Sequence, residues 1–274
     1  MTEPVEPVDP PVGAGSTSAP TGSNRDGVAV VTGGGSGIGA ATAVRLARRG
    51  LSVVCVGRRP DVLARTVTII ESTGGAARAV VADVGTGAAV DAIVAAVGDR
   101  PVAAVVHSAG RDIAGAFGET TRAEFDEMMA VNLVAPYFIT QALLNRLVPG
   151  AGIVVVGSVS GVRGRDRQSA YGASKAAVMG FVVNLAAELR GRARVNCVSP
   201  GATRTAMLRE QVAAARRNLS SRELEEANIR DLARMLLDRV AEPDEIAVTI
   251  EHVALDATAM TGTDVRVDVG YTAG

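Results

Sequence analysis

The sequence is poor in residues that bind transition metals or form disulfide bonds. Its 274 residues include two cysteines and two histidines. The histidines, His107 and His252, lie far apart and have no neighbours at the spacing of metal ligands. The cysteines, Cys55 and Cys197, lie inside apolar runs, where a buried free thiol is the usual state. We therefore predict no metal site and two free, buried thiols.

The sequence also lacks a strong excess of either charge and any very long apolar run. The formal net charge is −1, and no polybasic face indicates a nucleic-acid partner. No apolar run approaches the ~18–20 residues that cross a bilayer, so we expect no membrane partner.

The first 26 residues differ in composition from the rest. They hold five of the eleven prolines, mixed with Gly, Ser, Thr and acidic residues. Such a segment buries little apolar surface, so residues 1–26 are expected to form a disordered tail. The tail has neither a basic start nor an apolar core, which argues against a secretory signal and makes the cytoplasm the expected location.

What the chain has in abundance is a regular alternation of two kinds of segment. From residue 28, short β-branched runs such as VAVVT and SVVCVG alternate with Ala-rich segments of helical period. This alternation is typical of a parallel sheet covered on both faces. We predict an α/β fold, a Rossmann-type doubly wound parallel sheet of about seven strands. Residues 27–274 are expected to form a single domain, with the helical stretch 205–240 inserted as a lid over a cleft.

A glycine-rich turn lies between the first strand and the first helix. Gly33, Gly37 and Gly39 follow the pattern G-x-x-x-G-x-G. Glycines let the backbone approach a pyrophosphate, and the helix N-terminus offers free N–H groups. The turn therefore predicts dinucleotide binding, with contacts from Gly33, Gly35, Ser36, Gly37, Ile38 and Gly39.

The end of the second strand bears on the choice of cofactor. An acidic side chain there would hold the ribose hydroxyls of NAD, but Gly57 occupies the place and Arg58 and Arg59 follow. Guanidinium suits a phosphate dianion, so NADP(H) is preferred and NAD(H) stays open. Asp83 and Val84, after the third strand, are candidates for contact with adenine.

Tyr171 and Lys175 stand four residues apart, on one face of a predicted helix. Lys175 is the only lysine of the chain. A nearby ammonium lowers the pKa of a tyrosine, which makes the phenol a usable acid or base. Ser158 ends a predicted strand, where ligands bind in parallel α/β sheets. Asn132 lies inside a predicted helix, where Asn has no helical preference and can hold a water.

Taken together, eight motifs resemble the short-chain dehydrogenase/reductase family, in its compact, 3-oxoacyl-carrier-protein reductase-like branch. In the family's order they are TGGGSGIG (32–39), ADV (82–84), HSAG (107–110), VNL (131–133), GSVSG (157–161), YGASK (171–175), NCVSPGATRT (196–205) and VDVGY (267–271).

The resemblance implies a catalytic tetrad of Asn132, Ser158, Tyr171 and Lys175. Tyr171 would be the general acid or base, and Ser158 would orient the carbonyl. Lys175 would hold the nicotinamide ribose and depress the pKa of Tyr171, while Asn132 would keep a water. Further cofactor contacts are implied for Ala109, Gly110, Pro200, Gly201, Thr203 and Thr205.

Two departures from the family pattern stand out. His107 and Ser108 replace a usual pair of asparagines, and we interpret His107 as a hydrogen-bonded structural residue. Val269 replaces a common glycine in VDVGY, and the sequence offers no interpretation of it.

The sequence indicates the substrate and the oligomeric state less specifically than it indicates the cofactor. Arg163, Arg165 and Arg167 either attract an acidic substrate, such as a carrier-bound thioester, or lie on a solvated loop. Apolar pocket residues are expected near Ile113, Val162 and Met207. Broad apolar faces on helices 122–147 and 170–190 indicate self-association. The resemblance implies a homotetramer.

The leading hypothesis is thus an NADP(H)-dependent oxidoreductase acting on a ketone or secondary alcohol. Alternatives are an NAD-dependent alcohol, polyol or hydroxysteroid dehydrogenase, and a non-catalytic cofactor sensor. A sugar-nucleotide epimerase or dehydratase shares the Tyr/Lys pair. It usually carries a G-x-x-G-x-x-G loop and a larger C-terminal domain, and neither feature is seen in this sequence.

Overall fold

The computed structural model describes residues 27–113, 115–218 and 235–273. The predicted tail, residues 1–26, lies outside the described residues. The predicted lid is described in part, because residues 219–234 also lie outside them.

The described strands form one seven-stranded sheet in which every pairing is parallel. The strand order is β3-β2-β1-β4-β5-β6-β7, which confirms the predicted doubly wound sheet. The strands are β1 Val28–Thr32, β2 Ser52–Gly57, β3 Ala77–Val81, β4 Val102–His107, β5 Leu147–Val156, β6 Ala193–Pro200 and β7 Asp264–Val267.

Helices cover both faces of this sheet. On one face, α1 packs against α2 and α8; on the other lie α3, α5 and α6. The helices are α1 Gly37–Arg48, α2 Pro60–Ser72, α3 Gly87–Val97, α4 Arg122–Met129, α5 Ala135–Leu143, α6 Ser169–Glu188, α7 Ala206–Asn218 and α8 Pro243–Leu255. A π-helical turn, Ala130–Val134, joins α4 to α5.

Local sequence sets where several of these elements begin. The five side chains of β1, VAVVT, are all buried, as a run of small and β-branched residues without charge predicts. Helix α4 starts at a capping box, in which the Thr121 side chain accepts from the Glu124 backbone N–H and Glu124 accepts in return. Helices α2 and α8 both start with proline, which needs no N–H partner in the first turn.

The outer faces of α5 and α6 keep large apolar side chains exposed. Val134, Tyr137, Phe138 and Val183 are each about half exposed. By length and composition alone, two helical segments, Arg122–Arg146 and Ser169–Glu188, could cross a membrane. The expectation that no apolar run approaches that length is therefore wrong by this measure. One or two such helices are weak evidence for a membrane, because core helices pass the same test.

Candidate active site

One large cleft opens at the carboxyl ends of the parallel strands. Its volume is about 440 Å³, within the range of small-molecule sites. Most of the predicted site residues line it, namely Gly33, Gly35, Ser36, Gly37, Ile38, Arg58, Arg59, Asp83, Val84, Ala109, Gly110, Ser158, Tyr171, Lys175, Pro200, Gly201, Thr203 and Thr205. Gly39 and Asn132 are not among the lining residues.

The turn between β1 and α1 is too tight for side chains. A Cβ on Gly39 would overlap the carbonyl oxygen of Gly33, and a Cβ on Gly33 would lie 2.8 Å from the backbone nitrogen of Ala109. Gly37 has a φ of +54°, in the left-handed region that glycine tolerates. The turn thus brings bare backbone to the start of α1, where free N–H groups favour a phosphate. These residues fit the pyrophosphate of a dinucleotide.

Basic and acidic side chains flank the ends of β2 and β3. Arg59 Nη2 donates to Ser36 Oγ at 3.2 Å, which places a guanidinium beside the glycine turn. Arg58 Nη1 lies 3.7 Å from Asp83 Oδ2, and both side chains are well exposed. Asp83 Oδ1 in turn accepts from the backbone N–H of Gly85 at 3.0 Å. Both guanidinium groups therefore lie at the rim of the cleft, where they can contact a cofactor phosphate. Arg58 is held near Asp83, the residue expected to contact adenine.

Tyr171 and Ser158 lie side by side on the floor of the cleft. Ser158 follows β5, and its Oγ accepts from the backbone N–H of Ser160 at 3.1 Å. Tyr171, in the first turn of α6, is within hydrogen-bonding reach of the Ser158 side chain. Lys175 lies one turn further along α6, with its Nζ 5.8 Å from the centre of the Tyr171 ring. Helix α6 and the end of β5 thus bring three of the four predicted catalytic side chains together.

The predicted effect of Lys175 on Tyr171 differs from what the structure shows. Burial raises the pKa of Tyr171 well above its usual range, the charge of Asp112 raises it further, and the hydrogen bond with Ser158 lowers it. Burial also lowers the pKa of Lys175 to about 8. The ammonium donates to the carbonyl oxygen of Val156 at 2.8 Å, so it is directed towards β5. In this structure desolvation therefore outweighs any effect of the ammonium on the phenol.

Asn132 lies in the π-helical turn between α4 and α5 and is almost fully buried. Its Nδ2 donates to the carbonyl oxygen of Arg111 and to Ser174 Oγ, both at 2.9 Å. Its Oδ1 accepts from the backbone N–H of Arg111 at 2.8 Å. The side chain therefore ties the segment after β4 to helix α6, and π-helical turns of this kind occur frequently at functional sites.

The segment after β6 closes the far side of the cleft. Thr203 Oγ1 donates to the carbonyl oxygen of Gly201 at 3.1 Å. Thr205 Oγ1 lies 3.3 Å from the carbonyl oxygen of Thr203 and accepts from the backbone N–H of Leu208 at 3.3 Å. These local hydrogen bonds fold residues 201–205 against the glycine turn, and helix α7 follows over the opening.

The cleft holds polar residues that the sequence reasoning missed. Asp112, Gln168 and Gln211 line it, whereas of the three predicted apolar residues only Met207 does. Ile113 and Val162 are not among its lining residues, so that expectation is wrong for them. Asp112 had a signal in the sequence, because it follows the HSAG motif at the end of β4 and strand ends of this kind face the cleft.

The three arginines after Ser158 have different surroundings. Arg165 lines the cleft. Arg163 donates to the carbonyl oxygen of Tyr271 at 2.8 Å, and Arg167 forms an ion pair with Glu119 at 2.9 Å. The guanidinium carbon of Arg165 also lies 5.8 Å from the centre of the Tyr271 ring, so all three have structural contacts beside the cleft.

The remaining histidine and cysteine side chains of interest are buried. His107 Nε2 lies 2.8 Å from Thr140 Oγ1, and burial lowers the pKa of His107 to about 3. His107 does not line the cleft, which supports a structural role. Cys55 and Cys197 are buried free thiols as predicted, and burial raises the pKa of each to about 12. Within the described residues, no group of three or more His, Cys, Asp or Glu is placed to hold a metal ion.

Comparisons with known proteins point in one direction. A family model described as short chain dehydrogenase matches residues 27–216. A levodione reductase of Leifsonia aquatica is 34% identical over 274 residues, which cover 94% of this chain and 98% of the relative. An oxidoreductase of Thermotoga maritima is 34% identical over 250 residues, which cover 90% of this chain and 97% of the relative. A short chain dehydrogenase from Burkholderia cenocepacia, solved in complex with NADP, superposes with a TM-score of 0.79 at 30% identity, covering 90% of this chain and 98% of the other.

Proposed function

Since the chain belongs to the short-chain dehydrogenase/reductase family and is an NAD(P)-dependent oxidoreductase, we propose that it reduces a ketone to a secondary alcohol with NADPH. The observation that carries the proposal is the placement of Tyr171 and Ser158 beside each other in the cleft that also contains the glycine turn. The reverse oxidation uses the same groups.

The proposed chemistry assigns a separate task to each polar side chain. When bound, the nicotinamide supplies the hydride for reduction. Ser158 donates a hydrogen bond to the substrate oxygen and holds it near the Tyr171 hydroxyl. Tyr171 then gives its proton to that oxygen as negative charge develops there. A phenol with a pKa of about 10 or above is protonated at neutral pH, which is the state that reduction requires.

Lys175 and Asn132 support this proton transfer without donating the proton themselves. An ammonium has three N–H donors, and the carbonyl oxygen of Val156 takes one of them. We assign the others to the nicotinamide ribose and to a water that restores the Tyr171 proton. Asn132 keeps the segment after β4 and helix α6 at a fixed distance through Arg111 and Ser174, so that Tyr171 and Lys175 keep their positions.

The preference for NADP(H) rests on charge at the end of β2. Gly57 has no side chain to accept hydrogen bonds from ribose hydroxyls, and Arg58 and Arg59 line the cleft just after it. Among similar solved proteins, the dehydrogenase from Burkholderia cenocepacia was solved with NADP. An NAD-dependent alcohol or polyol dehydrogenase is the second candidate, favoured by the ion pair between Arg58 and Asp83, which offsets part of the basic charge.

Self-association is part of the proposal. Tyr137 packs against Phe138 and Phe181 with ring centres 5.1 and 5.6 Å apart, and this aromatic group lies on the exposed outer face of α5 and α6. Burying such a face against a second copy would remove it from water, and a homotetramer is the assembly we propose.

The first experiment titrates the full chain with NADPH and NADH and then follows reduction of a ketone panel by the nicotinamide absorbance. We expect tighter binding of NADPH and turnover of at least one ketone. Binding of neither cofactor would overturn the proposal, and tighter binding of NADH would overturn the assignment of Arg58.

The second experiment removes the ammonium. Lys175→Met should lower kcat by about 10²- to 10⁴-fold, the range for losing assistance to general acid catalysis, while circular dichroism shows an intact fold. Arg78→Met, which removes an exposed cation from β3, is the matched control and should retain activity. Wild-type activity in Lys175→Met would refute the role given to Lys175.

A further inference from the structure

One carboxylate of the cleft has no task in the proposed chemistry. Asp112 lies in the segment after β4 and lines the cleft with Tyr171 and Lys175. Its Oδ2 accepts a hydrogen bond from Gln168 Nε2 at 3.3 Å and another from Gln211 Nε2. Its Oδ1 is buried, and none of the described residues donates a hydrogen bond to it. Asp112 therefore presents an acceptor that is still without a donor.

The surroundings hold this carboxylate firmly in place. Gln168 precedes α6 and accepts from Ser160 Oγ at 2.8 Å, so its amide is oriented before it reaches Asp112. Gln211 approaches from helix α7, on the other side. A buried carboxylate oxygen without a donor costs free energy, and burial raises the pKa of Asp112 accordingly. A fixed acceptor of this kind discriminates strongly between ligands that bring a donor and ligands that do not.

Asp112 also lies near the reacting end of the cleft. Its charge acts on the pKa of Tyr171, and the charges of Arg165 and Lys175 act on its own. A cationic substrate group at this place would be attracted by Asp112 but repelled by Arg165 and Lys175, and an acidic group would be attracted by the two cations but repelled by Asp112. Either charge would therefore meet a repulsive neighbour. A neutral hydroxyl group meets neither penalty and supplies the missing donor.

We propose that Asp112 selects ketones that carry a hydroxyl group near the reacting carbonyl, and the matching polyols, by accepting a hydrogen bond from that hydroxyl at Oδ1. The inference rests on the proposed ketone reduction and narrows its substrate class. Because Oδ1 is buried and Gln211 of α7 contacts the same carboxylate, the proposed hydrogen bond requires α7 to move away from the segment after β4 when substrate binds.

The test compares three ketones on one carbon skeleton: 1-hydroxybutan-2-one, 4-hydroxybutan-2-one and butan-2-one. For the wild type, kcat/KM with at least one hydroxyketone should exceed that with butan-2-one by about 10- to 100-fold, the range for a hydrogen bond to a charged acceptor. In Asp112→Asn, which keeps the shape and an amide oxygen but loses the charge, this ratio should fall by about 5- to 10-fold, the difference between a charged and a neutral acceptor, mainly through KM. Asp112→Ser is the second variant if the amide does not fold.

Two controls separate selection from support of the fold. Asp91→Asn makes the same change at an exposed position on α3 and should keep the wild-type ratio. Gln211→Ala removes the contact between α7 and Asp112 but leaves the carboxylate, and it should keep the preference for the hydroxyketone. If Gln211→Ala lost the preference as completely as Asp112→Asn, Asp112 would act only by holding α7, and the inference would be overturned.

The outcomes also separate this inference from the proposed function. A wild-type protein that reduces butan-2-one as well as both hydroxyketones overturns the inference and leaves ketone reduction standing. A protein that binds neither NADPH nor NADH overturns ketone reduction, and this inference falls with it.

Discussion

Replacing His107 tests how a buried, neutral imidazole makes the stability of this protein depend on pH. The ring is almost fully buried in β4, with Nε2 2.8 Å from Thr140 Oγ1, and no described residue donates to or accepts from its Nδ1. Burial lowers the pKa of His107 to about 3. In the unfolded chain an exposed histidine has a pKa of about 6.5. Between these two values the unfolded state binds more protons than the folded state, so stability falls as the pH falls.

The size of the effect follows from the two pKa values. Each pH unit between them changes the free energy of unfolding by about 1.4 kcal/mol. Between pH 7.5 and 4.5, His107 should therefore remove about 2.5 kcal/mol of stability from the wild type. His107→Asn has no titrating group at this position, so its stability should fall by about 2.5 kcal/mol less over the same interval. At pH 7.5 the variant should itself be less stable, because Asn fills less of the site.

The assay is urea unfolding followed by circular dichroism at a series of pH values from 7.5 to 4.5. The carboxylates are common to all variants, so their contribution to the pH dependence cancels when the slopes of stability against pH are compared. His252→Asn is the matched control, since His252 is exposed on α8 and is the only other histidine. His107→Gln serves as a second variant. Parallel curves for wild type and His107→Asn would refute the reasoning.

Two further changes test the cofactor half of the cleft. Gly39→Ala should lower the affinity for NADPH by at least about 10-fold, because its Cβ overlaps the Gly33 carbonyl oxygen and opens the turn. Gly87→Ala, where a Cβ meets open space, should bind NADPH normally in the same calorimetric titration. Arg58→Ala should lower the affinity for NADPH by about 10- to 100-fold and that for NADH much less, since a charged contact to a phosphate is lost. An equal loss for both cofactors would contradict a phosphate contact and favour a role through Asp83.

The parallel sheet was predictable because its signal is local. Most strands are short runs rich in Val and Ala, and the first six are followed by segments of helical period, so the order of elements could be read without knowing the contacts. The glycine turn was predictable for a similar reason, since a motif and its flanking strand and helix lie within 20 residues or so of sequence. Tyr171 and Lys175 share one helix, so their proximity also followed from spacing.

Burial and long-range contact were not predictable in this way. The spacing of Tyr171 and Lys175 says nothing about how dry the site is, and desolvation decides the direction in which the pKa of Tyr171 moves. The cluster of Asp112, Gln168 and Gln211 forms from three separate segments that meet only in the folded chain. A residue-by-residue reading could place Asp112 at a strand end, but it could not bring two glutamines to it.

The π-helical turn Ala130–Val134 sets the angle about the helix axis between α4 and α5, and so between the two surfaces that these helices present. An α-helix turns by about 100° per residue, and a π-turn contains one residue more than an α-turn would need. Deleting one residue here would rotate α5 by about 100° relative to α4. With Asn132 still directed into the protein, Tyr137 and Phe138 would then no longer lie on the exposed face. Inserting or deleting one residue in this turn would therefore change the angle between the Asn132 side chain and the exposed aromatic face of α5. Substitutions at either surface would leave that angle unaltered.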